Sequence, residues 1–192
     1  MTLPTLNTER LTLRALQDTD APYLAELGGE WAVAGNTGRI PHPYTAAMAA
    51  EFIAACRDNQ LAQREFIFAI CANDVPHLLG CVGLSFEGDV AELGYWLGQP
   101  YWGQGFASEA ARAVVQFAFQ QLKMRRLTSD HLLRNPASGR VLAKLGFEFV
   151  GPRLVIWRDG QTCDLLQYQL NYADWATAQP TKDLYDSVSA SQ

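Results

Sequence analysis

The chain has 192 residues, 48% of them hydrophobic and 18% charged, which suits one globular unit with a substantial core and excludes a disordered or highly charged chain. The net charge of -5 argues against a nucleic-acid-binding domain, which would cluster Lys and Arg to neutralise phosphates, and no apolar run approaches a membrane span. The opening MTLPTLNTER has neither the regions of a signal peptide nor a lipidation motif, so a cytoplasmic protein is expected; the four cysteines, Cys56, Cys71, Cys81 and Cys163, form no C-x-x-C pair and read as small buried hydrophobes.

In chain order, RLTLRAL alternates as a first strand around Leu11 and Leu13; Asp18 and Asp20 mark a helix start, Pro22 to Leu27 the helix and Gly28-Gly29 its stop. Thr45 can cap a second helix whose Met48, Phe52, Ala55 and Cys56 recur on one face, ending in the polar run Arg57 to Gln60. Three strands follow, Glu65 to Cys71, Leu78 to Phe86 and Val90 to Leu97, with links short enough for antiparallel hairpins. A glycine-rich turn then enters a helix of about four turns with the buried stripe Ala111, Val114, Val115, Ala118 and Leu122; Lys123, Arg125 and Arg126 at its carboxyl end complement the helix dipole. The next strand, Leu127 to Leu133, is separated from Val90 to Leu97 by that helix, so the two should be parallel within a mixed sheet. Asn135 as N-cap and Pro136 at the first helical position open another helix that Gly146 ends, followed by strands Phe147 to Val150 and Thr162 to Leu170. The expected domain spans residues 1–175, and the polar tail 176–192 is expected to fray over about its last ten residues.

Gly103, Gly105 and Ala107 lie between a strand and a helix start, where small side chains let backbone N–H groups approach a ligand at a positive helix end. Taken locally, this is a phosphate cradle or a plain tight turn. No lysine stands in Gly105-Phe106-Ala107-Ser108, which excludes a P-loop. Gly103-x-Gly105-x-x-Ser108 with Asp130 downstream resembles a dinucleotide fingerprint, but Ser108 replaces the third glycine and the motif follows antiparallel hairpins in mid-chain.

The run Trp102-Gly103-Gln104-Gly105-Phe106-Ala107 resembles the coenzyme A pyrophosphate motif of the GNAT acetyltransferases. Trp102 stands where most members carry Gln or Arg, as in the RimJ/RimL-like branch, whose Y-W-G-x-G-[FY]-A-[ST]-E-A is matched from Tyr101 to Ala110. Thr8 to Arg14 match that branch's T-E-R-L-x-L-R opening, Pro41 to Thr45 its P-x-P-Y-T segment, and Asn135, Ser138 and Lys144 to Phe147 its N-x-x-S block running into K-L-G-F. The resemblance implies one α/β (α+β) domain: a mixed, mostly antiparallel, V-split sheet flanked by helices on both faces. It implies acetyl-CoA lying in the split, the main chain of Trp96 and Leu97 pairing with the pantetheine arm, and residues Trp102 to Ser108 holding the pyrophosphate.

Acetyl transfer from a thioester needs a neutral amine placed against the carbonyl, a route for its proton and stabilisation of the leaving thiolate. Glu92 shares a strand face with Gly94 and Trp96 and matches the branch's A-E-x-G-Y glutamate; it is the candidate base, against an ordered water in that role or a merely solvated glutamate. Ser138 is the candidate acid or thiolate donor, since Leu142 stands where many relatives place a tyrosine; its plain alternative is a polar residue in a first helical turn. Asn135 is a cofactor contact or only a cap, and Lys144 a 3'-phosphate ligand or a solvated lysine. Trp31, Arg39, His42 and Tyr44 lie in the region that shapes acceptor sites in this family. His42, His77 and His131 show no metal-ligand spacing. The expected activity is acetyl-CoA-dependent N-acetylation of a protein N-terminus or a small amine, with no nucleic acid or membrane partner, and a homodimer would be unsurprising for the branch. A non-catalytic coenzyme-binding module is the rival, and a dinucleotide oxidoreductase the third.

Overall fold

The computed structural model describes residues 2–158 and 160–178. In order the chain forms β1 (Leu6–Asn7), β2 (Leu11–Ala15), α1 (Ala21–Gly29), α2 (Trp31–Ala34), α3 (Ala46–Leu61), β3 (Glu65–Ala72), β4 (Leu78–Glu87), β5 (Val90–Leu97), α4 (Phe106–Gln120), β6 (Arg126–Leu132), α5 (Pro136–Lys144), β7 (Glu148–Ile156), β8 (Thr162–Asn171) and α6 (Tyr172–Ala178). The strands make one 8-stranded sheet in the order β1-β2-β3-β4-β5-β6-β8-β7. Every neighbouring pair is antiparallel except β5 and β6, which the α4 crossover joins in parallel as its length required.

Strand alternation divides the sheet's apolar residues between two faces. Leu11, Leu13, Phe66, Phe68, Leu84 and Leu93 pack against α4, whose Ala111, Val114, Val115 and Ala118 are buried as the sequence stripe predicts and are joined by Phe117 and Phe119. On the other face Ala69, Leu78 and Cys81 meet α1 and α3. Each fully buried Leu or Phe contributes about 1.5–3 kcal/mol, so both helical layers are firmly seated on the sheet.

Several local expectations change for physical reasons. The buried stripe of α3 is Ala49, Ile53 and Cys56, while Met48, Phe52 and Ala55 turn toward an open cleft. Gly28-Gly29 does not stop α1 but belongs to it: a Cβ on Gly28 would stand 3.3 Å from the Trp96 indole, so the missing side chain seats that ring. Thr45 caps α3 as expected, accepting from the Met48 N–H at 3.3 Å. The cations after α4 do not serve its dipole: Arg125 pairs with Asp89 at 2.7 Å and Arg126 begins β6. α5 ends in a Schellman turn, with Gly146 at φ 85, its N–H on the Ala143 carbonyl at 3.1 Å, and the Phe147 N–H on the Leu142 carbonyl at 3.1 Å. β7 runs to Ile156, longer than its apolar start suggests, because β8 pairs with it along its length. Past Tyr172 the chain forms α6, which crosses the expected boundary at 175 and buries Trp175 against Phe119 with ring centroids 5.1 Å apart. The expected frayed end lies outside the described residues.

Candidate active site

One cleft of about 1150 Å³ runs from the turn before α4, along the divergence of β5 and β6, to α3 and the segment 36–41. At its first end Gly103 and Gly105 take φ 75 and 84, left-handed conformations open to glycine. Among the described residues, the N–H groups of Gly103, Gln104, Gly105, Phe106, Ala107 and Ser108 meet no protein acceptor; the first helical bond of this turn is Glu109 N–H to the Gly105 carbonyl at 3.1 Å. Unpaired donors at the positive end of a 15-residue helix fit an anion, and a phosphate group suits them chemically. Trp102 donates from its indole to the Leu97 carbonyl at 2.7 Å, tying the turn to β5. Gln104 returns its side chain to the Pro100 carbonyl at 3.0 Å, outside the cleft lining.

β5 and β6 stay paired through Val90–Arg126, Ala91–Leu127 and Glu92–Thr128, then separate. Ser129 Oγ donates to the Leu93 carbonyl at 2.8 Å across the start of the gap. Since the Leu93 and Leu97 carbonyls are both engaged on this side, alternation turns the Tyr95 N–H and C=O into the gap and the Trp96 main chain toward β4. The strand edge that the sequence assigned to Trp96 and Leu97 therefore belongs to Tyr95 and Leu97, with the Leu97 carbonyl already holding Trp102.

Farther along, Tyr95 reaches across to α5. Its hydroxyl donates to the Ser138 carbonyl at 3.0 Å and lies 2.9 Å from Ser138 Oγ. Burial pushes the Tyr95 phenol up to about 12 against the opposing Ser138 hydrogen bond, so it stays protonated at neutral pH. Ser138 is thus a hydroxyl fixed by a buried phenol. Asn135 occupies the N-cap position without a side-chain cap bond and lines the cleft, so capping no longer accounts for its amide. Arg140 and Lys144 line the same side, and Leu142 is fully buried, where it cannot act chemically.

A polar row stands in register across four strands, Glu65, Ser85, Glu92 and Thr128, and its first three members line the cleft. Glu92 is exposed, and among the described residues its carboxylate has no hydrogen-bond or ion-pair partner. Asp130, one step farther on β6, is raised above the usual carboxylate range by burial and by Glu92, with Arg153 at 3.8 Å opposing. Glu65 is only 6% exposed and is held by Arg39, by Ser85 Oγ at 2.9 Å and by Asn59 at 3.4 Å. The charged opening of the apolar run EFIFAICA was the available sign of Glu65, and a lone carboxylate inside β6 that of Asp130.

Arg39 and Tyr44 line the cleft, and burial pushes the Tyr44 phenol up. Trp31 and His42 do not reach it. They stack edge to face at 5.1 Å over a separate shallow hollow with Pro41 and Arg158, because His42 Nδ1 is drawn to the Gly29 carbonyl at 2.9 Å. A roof missed in the sequence closes this end. Arg134 and Trp157 both donate to the Gly35 carbonyl, at 2.7 and 3.0 Å, and Arg158 donates to the Thr37 and Ile40 carbonyls.

Residues 10–148 match the family model described as an acetyltransferase (GNAT) domain. An N-acetyltransferase of Bacillus licheniformis called p20 is 30% identical over 152 residues, 78% of this chain and 85% of that protein. The Escherichia coli [ribosomal protein uS5]-alanine N-acetyltransferase is 27% identical over 88% of this chain and 92% of its own length. A solved structure of RimL, a ribosomal L7/L12 alpha-N-protein acetyltransferase in complex with coenzyme A, superposes with a TM-score of 0.79 at 18% identity, covering 88% of this chain and 98% of that one, a likeness of fold. Among the described residues no helix is long and apolar enough to cross a membrane.

Proposed function

The chain belongs to the GNAT acetyltransferase family, and from that premise we propose that it moves the acetyl group of acetyl-CoA to a protein N-terminal α-amine, by direct attack in a ternary complex. The observation that carries this reading is the continuity of the cleft: the unpaired N–H groups of residues 103–108, the open edge of β5 and the carboxylate of Glu92 lie along one channel. The same channel can take a phosphate, an extended amide arm and an amine in that order.

An α-amine with a pKa of about 7.7–8.0 is neutral in about one molecule in ten at pH 7, so a modest base is enough. Glu92 takes the proton of the attacking amine, directly or through one water. The amine nitrogen bonds to the acetyl carbon, the C–S bond breaks, and the coenzyme leaves as thiolate. The Ser138 hydroxyl donates to that sulfur. When Tyr95 donates to Ser138 Oγ instead of the carbonyl, the serine proton is free to point into the cleft. Asn135 and Lys144 contact the coenzyme from α5, and Arg39 and Tyr44 shape the acceptor end. The reaction belongs in the cytoplasm, and a protein acceptor is the one named for the ribosomal-protein relatives.

Calorimetric titration with acetyl-CoA, with NAD and NADP as controls, tests the reading when followed by thiol release against N-terminal peptides and small amines. Micromolar binding with peptide-dependent thiol release is expected. Binding without release on any amine would leave a coenzyme-binding module, and preferential NAD binding would overturn the assignment.

A further inference from the structure

We propose that Arg10, clamped by Glu109 and Thr8, is the positioning residue that holds the turn 103–108 in its anion-binding shape, acting on the coenzyme without touching it. This rests on the acetyl-CoA reading above. The turn's own ties, Trp102 to the Leu97 carbonyl and the Gln104 side chain to the Pro100 carbonyl, lie ahead of Gly105; its main-chain donors are unpaired, and Gly103 and Gly105 leave its backbone free to adopt many conformations. An outside group must fix it for the N–H groups to converge.

Arg10 spans the hinge at Gly105 from both sides. Before the glycine, its Nη1 donates to the Gln104 carbonyl at 3.0 Å. After it, the guanidinium lies 4.7 Å over the Phe106 ring, and Nε donates to Glu109 Oε2 at 2.7 Å in the first turn of α4. The other Glu109 oxygen accepts from the Arg10 main-chain N–H at 2.9 Å and from Thr8 Oγ1 at 2.6 Å. Thr8 is in turn bonded to the Leu11 N–H at 3.0 Å, and Leu11 is fully buried in the core. The opening T-E-R-L segment thereby ties the turn and the start of α4 to β2. One planar fork serves a carbonyl, a ring face and a carboxylate together, which a lysine cannot reproduce.

The clamp also answers an electrostatic problem. Glu109 places a negative charge in the helix turn meant to receive an anion, and Arg10 both neutralises it and draws it toward β2. Half-exposed ion pairs add little to stability, so the clamp's main effect is on the shape and charge of the turn.

The full-length protein and its Arg10→Ala, Arg10→Lys, Glu109→Gln and Thr8→Val variants are assayed with acetyl-CoA and with S-acetylpantetheine, which lacks the pyrophosphate, against one acceptor. Calorimetry with CoA and thermal melts accompany the kinetics. Releasing the turn into a population of shapes weakens binding by the competent fraction, so Arg10→Ala should raise the Kd for CoA and the KM for acetyl-CoA about tenfold. Its kcat/KM with S-acetylpantetheine should stay within about twofold. Arg10→Lys should show most of the same defect, since it restores charge without the fork. Equal losses with both thioesters, or an unchanged Kd for CoA, would overturn the clamp. If Arg10→Ala does not fold, Glu109→Gln and Arg10→Lys decide by the same comparison. Failure of the unmodified protein to bind CoA would refute the acetyl-CoA reading itself.

Discussion

Gly139→Ala sets two magnitudes of opposite sign against each other. In an ordinary helix interior the change gains about 1 kcal/mol of helix propensity. In α5, however, the new Cβ would stand 2.5 Å from His131 Nε2 and 3.1 Å from Cε1. His131 has little room to yield: it is 6% exposed, its Nδ1 sits 2.9 Å from the Leu132 carbonyl, and its ring stacks on Tyr168 at 5.4 Å. Normal carbon contacts lie at about 3.5–4.0 Å, so α5 must move off β6 by roughly 1 Å. Overpacking of this kind costs about 1–3 kcal/mol, which exceeds the helix gain and leaves a net loss near 1 kcal/mol. For a chain of this size Tm should fall by about 2–4 °C. The same movement carries Ser138, the adjacent residue, away from the Tyr95 hydroxyl now 2.9 Å from its Oγ. A displacement of about 1 Å at a reacting group lowers kcat by ten- to a hundredfold, readable as thiol release at saturating acetyl-CoA and acceptor. A higher Tm with unchanged kcat would refute the packing argument, since it would mean that α5 accepts the methyl group without moving.

Ser138→Ala should lower kcat about a hundredfold or more with little change in KM for acetyl-CoA, and Tyr95→Phe should do less, since it removes only the group that orients the serine; equal kcat in all three proteins would reject a role for this pair. Arg39→Ala leaves the buried Glu65 carboxylate with only Ser85 and Asn59, and because Arg39 is itself largely exposed the loss should be about 1–3 kcal/mol in urea unfolding; a further Glu65→Gln exchange should recover part of it. Burial pushes Glu109 up, but its bonds from Thr8 and Arg10 outweigh this and hold it below the usual range, so its stabilising effect is full above the ordinary value and is lost as pH falls through the folded one. Asp130 is raised instead, so its contribution is full below the ordinary value and lost as pH rises through the folded one. Unfolding midpoints measured on either side of about pH 4 should show Glu109→Gln flattening the acid limb and Asp130→Asn the limb above it; parallel curves would contradict both assignments.

Helix and strand identities were written in local spacing. The buried face of α4 follows its apolar period, β5 runs over the same residues that its alternation marks, and the parallel β5–β6 pair follows from the length of the crossover. The turn before α4 was legible as a turn, since Gly103 and Gly105 both take positive φ, whereas its shape is held from outside by Arg10 on the Gln104 carbonyl. Local pattern misled where a small or polar residue had a distant reason. Gly28 looked like a helix stop, yet it makes room for Trp96. Met48 and Phe52 looked like core, yet they line the cleft because α3 rests on the sheet through Ala49 and Ile53.

Taken alone, the sequence determined most of the elements, their order and the family, since each depends on residues near one another in the chain or on ordered motifs, while β1, α2 and α6 went unmarked. Tertiary structure alone decided which side chains cooperate. Tyr95 meets Ser138 across 43 residues, Arg10 meets Glu109 across 99, and Trp157 reaches Gly35 across 122. Such pairs carry no period or spacing in the sequence. They arise when strands diverge, helices settle and long side chains find the one partner within hydrogen-bond reach, so only the packed molecule separates Arg39 and Tyr44 in the cleft from Trp31 and His42 outside it.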